Sequence, residues 1–375
     1  MKTIGLVFGG KSVEHDVSVI SAQIISKGFE SLKNKFKLVP IYINKKGNWF
    51  PFSAFPPLEK IKSLKEKENN ILFSIRPEGE KLILKTGVLG KTIAIDIILP
   101  IIHGTNGEDG TLQGFFETLN IPYVGAGVLG SAVGMDKILM KDILKSNKLP
   151  VVDYLSFTRN DLKEKKDLIA EEIESRLPYP VFVKPSNLGS SIGITKSEDR
   201  KSLIFSLEVA AAYSERIIAE RGVKNAKEIN CAVLDDGGKI IPSLLEEPMH
   251  YTEFLTFEEK YVGGGKGGTM KGLKSKVKIP AELSEKITAE IKNLALKTFK
   301  VLDCASIARV DFLVEENRKV FINEINTLPG SLQQHLWKAS SIDLPNLLEK
   351  IISSAERKFS EKKKNLTLFN SPLLN

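Results

Sequence analysis

The chain has 375 residues, 42% hydrophobic and 27% charged, which is long enough for two or three domains with a sizeable core and ordinary for a soluble globular protein. Its net charge of +8 favours anionic partners, yet the lysines are spread along the chain, and no basic block interleaved with aromatics marks a nucleic-acid groove. Two distant cysteines, Cys231 and Cys304, exclude a disulfide framework and point to a reducing cytoplasm, and no apolar run reaches the eighteen or so residues of a membrane span.

Residues 2–8 read as a buried strand, too brief for a signal sequence. A Gly9-Gly10 turn follows, then a helix with Val17, Ile20, Ile24 and Ile25 on one face, which makes a βα unit. Glu14 stands in the mouth of that turn, where a carboxylate can hold a substrate ammonium or simply complement the helix dipole; His15 beside it is equally two-sided. A second strand covers Leu38–Ile43, Lys60 to Asn70 is charged and loose, and Ile93–Ile102 reads as a central buried strand. The pattern is α/β with a mostly parallel sheet. Ligands bind beyond the carboxyl ends of such strands, where His103 and the loop HGTNGEDGTLQG lie, although a lone histidine there is more often a structural hydrogen bonder than a catalyst.

A short strand at Pro122–Val124 leads into Gly125-Ala126-Gly127-Val128-Leu129-Gly130, which matches G-x-G-x-x-G by letter. It follows a meagre strand in the chain interior, so the reading is a close-packed turn, followed by a helix carrying Met135, Leu139, Ile143 and Leu144. Strands at 181–184 and 217–220 flank SNLGSSIGI, and 229–234 with 240–245 form a hairpin, the antiparallel character of an α+β unit. Strand-borne Lys184, followed by that glycine-serine loop, offers phosphates a point charge and backbone N–H groups. Residues 262–272 hold six glycines in eleven positions and read as a lid or a connector; Gly265-Lys266 lacks the hydroxyl of a Walker A loop. Amphipathic helices are expected around Leu283–Ala295 and Leu344–Ile352, with a charged tail fraying beyond Lys358.

Between those helices lie two alternating strands, ARVDFLV and VFINEIN, joined by a short polar loop. They are expected to project Arg309, Asp311, Glu324 and Asn326 to one face, and an oxygen-only set of this kind suits Mg²⁺ completed by water and substrate phosphates. The bland alternative is a solvated hairpin with a surface ion pair.

With GGKSVEHDVS, HGTNGEDGTLQG, GMDK, KPSNLGSSIG, EEKYVGG, ARVDF and NEINTLPG in this order, the chain resembles the D-alanine–D-alanine ligases of the ATP-grasp superfamily from about residue 4 to about residue 350. The resemblance implies an ATP-grasp fold, α/β and α+β, with an N-terminal Rossmann-like (pre-ATP-grasp) domain at 1–124. A central subdomain at 125–218, a C-terminal subdomain at 219–355 and a charged tail at 356–375 complete the division. It implies ATP, two Mg²⁺ ions with Mn²⁺ as an alternative, D-alanine as substrate, a homodimer, and neither nucleic acid nor membrane as partner. Carried over by position, Lys137, Lys184 and Ser191 would contact ATP phosphates, and Glu220, Val223 and Glu228 would surround adenine and ribose. Asp311, Glu324 and Asn326 would bind metal. Glu14 would hold the first D-alanine's ammonium and connect through Ser190 to Tyr261, His103 would lie near its carboxylate, and Lys260 near the transferring phosphoryl. Arg309 and the Gly330 N–H would stabilise the tetrahedral oxyanion.

The chain departs from the family twice. Where relatives place a serine for the second substrate's carboxylate, this chain has His335, so Ser331 or a backbone group is the substitute; and EPMHYTEFLTFEEKY is an uncommon approach to the lid, although Lys260-Tyr261 is intact. The Lys-Tyr pair, lost in D-lactate-forming relatives, favours an amine acceptor. The expected product is D-alanyl-D-alanine for peptidoglycan; the alternatives are another dipeptide such as D-alanyl-D-serine, or a nucleotide-binding regulator without chemistry.

Overall fold

The computed structural model describes residues 1–67, 73–86, 92–249, 277–316 and 319–366. Lys260, Tyr261 and the expected lid at 262–272 therefore lie outside the described residues.

The N-terminal part runs β1 (Lys2–Gly9), α1 (His15–Gly28), β2 (Phe36–Ile43), β3 (Trp49–Pro51), α2 (Leu58–Leu64), β4 (Phe73–Glu78), β5 (Lys81–Thr86), β6 (Thr92–Ile95) and β7 (Ile97–Ile101). One sheet has the order β3-β2-β1-β7, in which β1 is parallel to both neighbours, and β4-β5-β6 form a second sheet. The single strand expected over 93–102 is thus divided between two sheets. Asp96 causes the break: its carboxylate accepts from the Thr3 N–H at 2.7 Å and pairs with Lys81 at 3.0 Å, turning the chain out of one ladder and into the other. β7 itself keeps the expected inner, buried position, with β1 on one side and residues 122–124 on the other, where the Ile98 N–H donates to the Pro122 carbonyl and the Val124 N–H to the Ile98 carbonyl, each at 2.9 Å.

Helix α1 also differs from expectation, since it buries His15, Ser18, Val19, Ser21, Ala22 and Ile25 and leaves Val17, Ile20 and Ile24 half-buried. Small residues let the helix approach the carboxyl ends of the strands, where Ser18 donates to the Ile101 carbonyl and accepts from the Gly9 N–H at 2.7 Å. Apolar bulk misled the reading because this face serves hydrogen bonding at the sheet's ligand end.

Three helices follow: α3 (Thr111–Thr118), α4 (Val128–Met135) and α5 (Lys137–Ser146). The one helix expected through Met135 and Leu144 is split at Asp136, whose side chain caps α5 by accepting from the Ile138 and Leu139 N–H groups. The new start exposes Leu139 and turns Lys137 and Lys141 inward. Gly130 is a close-packed residue, because a Cβ there would meet the Asp303 carbonyl oxygen at 2.5 Å.

The second layer comprises β8 (Tyr154–Thr158), α6 (Arg159–Arg176), β9 (Val181–Pro185), β10 (Thr195–Ser197), α7 (Arg200–Tyr213) and β11 (Arg216–Arg221). Its antiparallel sheet, β10-β9-β11-β8, has a core of its own that includes Leu155, Ile173, Val183, Leu203 and Ile217.

The third layer runs β12 (Lys227–Asp236), β13 (Lys239–Pro248), β14 (Val277–Lys278), α8 (Glu285–Val301), β15 (Ile307–Val314), β16 (Val320–Asn326), α9 (Gln334–Ala339) and α10 (Leu344–Lys362), with the sheet order β14-β13-β12-β15-β16. Ile229, Cys231, Val310, Phe312 and Ile322 face α8, together with Val133 and Met140 from α4 and α5. On the opposite face Ala232, Leu234 and Ile307 join α9, α10 and the first sheet in one core containing Leu6, Phe8, Trp337 and Ile351. Helix α10 continues to Lys362, past the fraying expected at Lys358, because Lys362 pairs with Glu117 and Lys358 lies over the Tyr123 ring at 5.6 Å.

Candidate active site

Strands β12, β13, β15 and β16 build the site's floor. Their register places Glu246, Asn230, Asp311 and Glu324 in one transverse row, with Ala232, Arg309 and Asn326 in the next. At about 4.8 Å per strand the first row spans roughly 14 Å. Plain alternation along β16 would send Glu324 into the apolar core with Val320 and Ile322. A bulge between the Asp311 and Phe312 pairings shifts the phase, so that Ile325 enters that core and Glu324 faces the row. This irregularity is what brings the expected four side chains to one side.

Arg309 grips Asp311 with two hydrogen bonds of 2.6 Å, and the Asn326 amide donates to the same carboxylate at 3.1 Å. Asp311 is nevertheless pushed up to about 6, first by burial and then, against the pull of Arg309, by the charges of Glu324 and Glu228. That surplus of negative charge among hard oxygen donors fits a divalent cation. No group of three or more His, Cys, Asp or Glu side chains cages an ion unaided among the described residues. Such a partial set matches an ion completed by phosphates and water.

The opposite wall carries lysines. Lys184 on β9 donates to Glu220 on β11 at 2.7 Å, and Lys137 donates to the Leu188 carbonyl of the glycine-serine loop at 2.6 Å. Burial pulls the Lys137 ammonium below its ordinary range. In the loop Ser190 and Ser191 both adopt left-handed backbone, with φ of 55° and 59°, a strain tolerated where the surroundings fix it. Val223 and Glu228 are partly buried beyond β11, and the Glu228 charge reaches Arg309 and Asp311.

The first sheet meets the lysine wall at Glu14. Ser190 donates to its Oε1, and side chains at Gly104 and Gly189 would lie 2.6 Å and 3.2 Å from its Oε2, so both glycines are needed for the approach. His103 contacts Ser21 at 3.1 Å, and Ser21 accepts from the Ser331 N–H at 3.1 Å, which ties the first sheet to the turn after Gly330. Burial, ahead of the opposing Leu328 hydrogen bond, pulls His103 down to about 4, so it is neutral at physiological pH. Ser331, Leu332 and Gln333 are consecutively left-handed. The departing residue, His335, is hydrogen-bonded to Glu246 at the far end of the acidic row.

Several site residues were not anticipated from the sequence. Glu108 lies beside Glu14, Lys141 stands behind Glu220, and Ser21, Asn230 and Glu246 complete the polar surroundings. Glu108 was within the quoted HGTNGEDGTLQG loop, and Lys141 is one helical turn from Lys137; the others carry no local signal.

A family model described as the D-ala D-ala ligase N-terminus matches residues 3–126, and one described as the D-ala D-ala ligase C-terminus matches residues 143–353. The chain belongs to the D-alanine–D-alanine ligase family. A D-alanine–D-alanine ligase of Natranaerobius thermophilus is 39% identical over 380 residues, covering 98% of each chain. Among solved structures, the D-alanine–D-alanine ligase of Coxiella burnetii has a TM-score of 0.79 at 30% identity, covering 97% of this chain and 96% of its own. The VanG D-Ala:D-Ser ligase of Enterococcus faecalis has a TM-score of 0.78 at 29% identity, covering 94% and 99%. The ATP-grasp fold follows from the same family relationship.

Proposed function

We propose that this protein joins two D-alanines at the expense of ATP, forming D-alanyl-D-alanine for peptidoglycan precursors. The observation that carries the reading is the Glu14–Ser190 hydrogen bond, which sets a carboxylate for a substrate ammonium against the phosphate loop. A carboxylate is a poor electrophile, so ATP first phosphorylates it, and the second amine then displaces phosphate from the acyl phosphate. Negative charge builds in both steps, and fixed cations and donors meet it without any protein nucleophile.

Lys137, Lys184 and Ser191 hold the phosphates, and Glu220, Val223 and Glu228 surround the nucleoside. Asp311, Glu324 and Asn326 hold Mg²⁺, which when bound polarises phosphoryl oxygens and screens their charge. Glu14, positioned by Ser190, orients the first D-alanine, with neutral His103 near its carboxylate. Arg309 and the Gly330 N–H face the developing oxyanion, and the family resemblance adds Lys260 for the transferring phosphoryl and Tyr261 as the continuation from Ser190. Two ions, Mn²⁺ as a substitute, a homodimer, a cytoplasmic setting and domain divisions near 124, 218 and 355 belong to the same proposal.

His335 on Glu246 gives the second amino acid a different neighbour from the family's serine, with Ser331 nearby. This favours one further reading, a D-serine acceptor. Protein incubated with ATP, Mg²⁺ and D-alanine, with and without D-serine, should release ADP and phosphate in step with D-alanyl-D-alanine by mass spectrometry. A dominant D-alanyl-D-serine product would reassign the acceptor, and nucleotide binding without ADP formation would make the protein a regulator.

A further inference from the structure

Lys141 is the most deeply placed charge in the nucleotide wall, with a side chain 0% exposed. Its ammonium lies 3.4 Å from Glu220 Oε1, and Glu220 Oε2 accepts from Lys184 at 2.7 Å. Two cations therefore share one carboxylate that is itself only 3% exposed. Neutralising Glu220 requires one of them; the second adds a buried charge whose removal from water costs several kcal/mol and which an apolar side chain of similar length would avoid. Lys141 cannot reach a ligand, because Glu220 and the surrounding core enclose it. Glu220 is its direct ionic contact, and the Glu324 charge of the acidic row also reaches it.

We propose that Lys141 is a positioning residue for nucleotide binding, anchoring one oxygen of Glu220 from within the core so that the other holds the Lys184 ammonium at the mouth of the phosphate loop. The inference rests on the nucleotide reading above. A spacing of four puts Lys137 and Lys141 on one face of α5, so a single helix steadies both the loop, through the Leu188 carbonyl, and the strand lysine, through Glu220. The groups facing Glu220 are Lys137 and Lys141 from α5, Lys184 from β9, and Tyr154, its register partner on β8. Burial alone would raise the Glu220 carboxyl, but Lys141 and then Lys184 bring it to about 2. The clamp is therefore intact throughout the neutral range and fails only as pH falls toward that value. Without Lys141 the carboxyl protonates at a higher pH, and the hold on Lys184 is lost earlier on acidification.

The test compares Lys141→Met with Lys141→Arg and the parent, following steady-state kinetics against pH and Mg²⁺-dependent binding of a fluorescent ADP analogue. Lys141→Met should raise the KM for ATP about tenfold, leave the KM for D-alanine within about twofold, and move the acid limb of kcat/KM for ATP to higher pH. Lys141→Arg, which keeps the cation, should recover most of the ATP affinity. If Lys141→Met does not fold, Lys141→Gln carries the same expectation. An unchanged ATP KM and pH profile in the neutral variants overturns the proposal, as does a proportionate rise in both KM values with a lowered thermal midpoint, which marks a purely structural lysine. Failure of the parent to bind the ADP analogue would instead overturn the nucleotide reading.

Discussion

Replacing Glu108 with glutamine should remove a pH-dependent weakness from the fold. Glu108 is partly exposed, accepts from the Gly104 N–H at 2.7 Å, and lies close to Glu14. Burial and then the Glu14 charge push its carboxyl from 4.5 up to about 8. At about 1.36 kcal/mol per unit this corresponds to roughly 5 kcal/mol; because water still reaches the side chain, about half of it, some 2–3 kcal/mol, is the working magnitude. The folded form retains a proton between pH 4.5 and 8 that the unfolded chain has released. Stability of the parent therefore falls as pH rises through that window and levels off above it. Glutamine imitates the protonated acid, so Glu108→Gln should match the parent near pH 4.5 and exceed it by about 2–3 kcal/mol at pH 8. Urea denaturation of both proteins without nucleotide, from pH 4.5 to 9, measures the difference. Parallel curves would show that Glu108 is already ionised at neutral pH and refute the burial argument.

Two other substitutions separate chemistry from packing. Glu324→Ala should lower turnover at least ~10³-fold at any practical Mg²⁺ concentration, while thermal stability changes little because the repulsion relieved on Asp311 offsets the attraction lost to Lys137 and Arg309; near-parental phosphate release would remove Glu324 from the metal set. Gly130→Ala forces a Cβ to within 2.5 Å of the Asp303 carbonyl, so it should cost about 1–3 kcal/mol and lower the melting midpoint by several degrees. An unchanged midpoint would mean that α4 can shift freely over the end of α8.

The strands of the acidic row were readable because Val310, Phe312 and Val314, all buried, alternate with Arg309, Asp311 and Leu313, and of these only Leu313 is out of keeping with its side of the sheet. What alternation could not supply was the phase of β16. There Val320, Ile322 and Glu324 share a parity that the bulge cancels, and a bulge at Asn323 has no signature in side-chain chemistry. Asp96 and Asp136 interrupt apolar runs, and each redirects the backbone by accepting its N–H groups. They were overlooked because hydrophobic periodicity outvotes single residues. Glu14 and Ser190, 176 positions apart, came together on paper only through the family resemblance. Lys141 and Glu108 acquire meaning from what packs around them, which no local window contains.

The apolar core shared by the first sheet, α9 and α10 makes the turn that carries Glu14 and the acidic row parts of one rigid block. Separating them would expose Leu6, Trp337 and Ile351, at roughly 2 kcal/mol for each side chain. The four-stranded layer meets that block at the site through groups such as Ser190 with Glu14 and Arg216 with Asp136. Water can replace such contacts at about 1 kcal/mol apiece. Each side of the joint thus keeps an apolar core of its own, and the hydrogen-bonded and charged groups that cross between them are ones that solvent can take over.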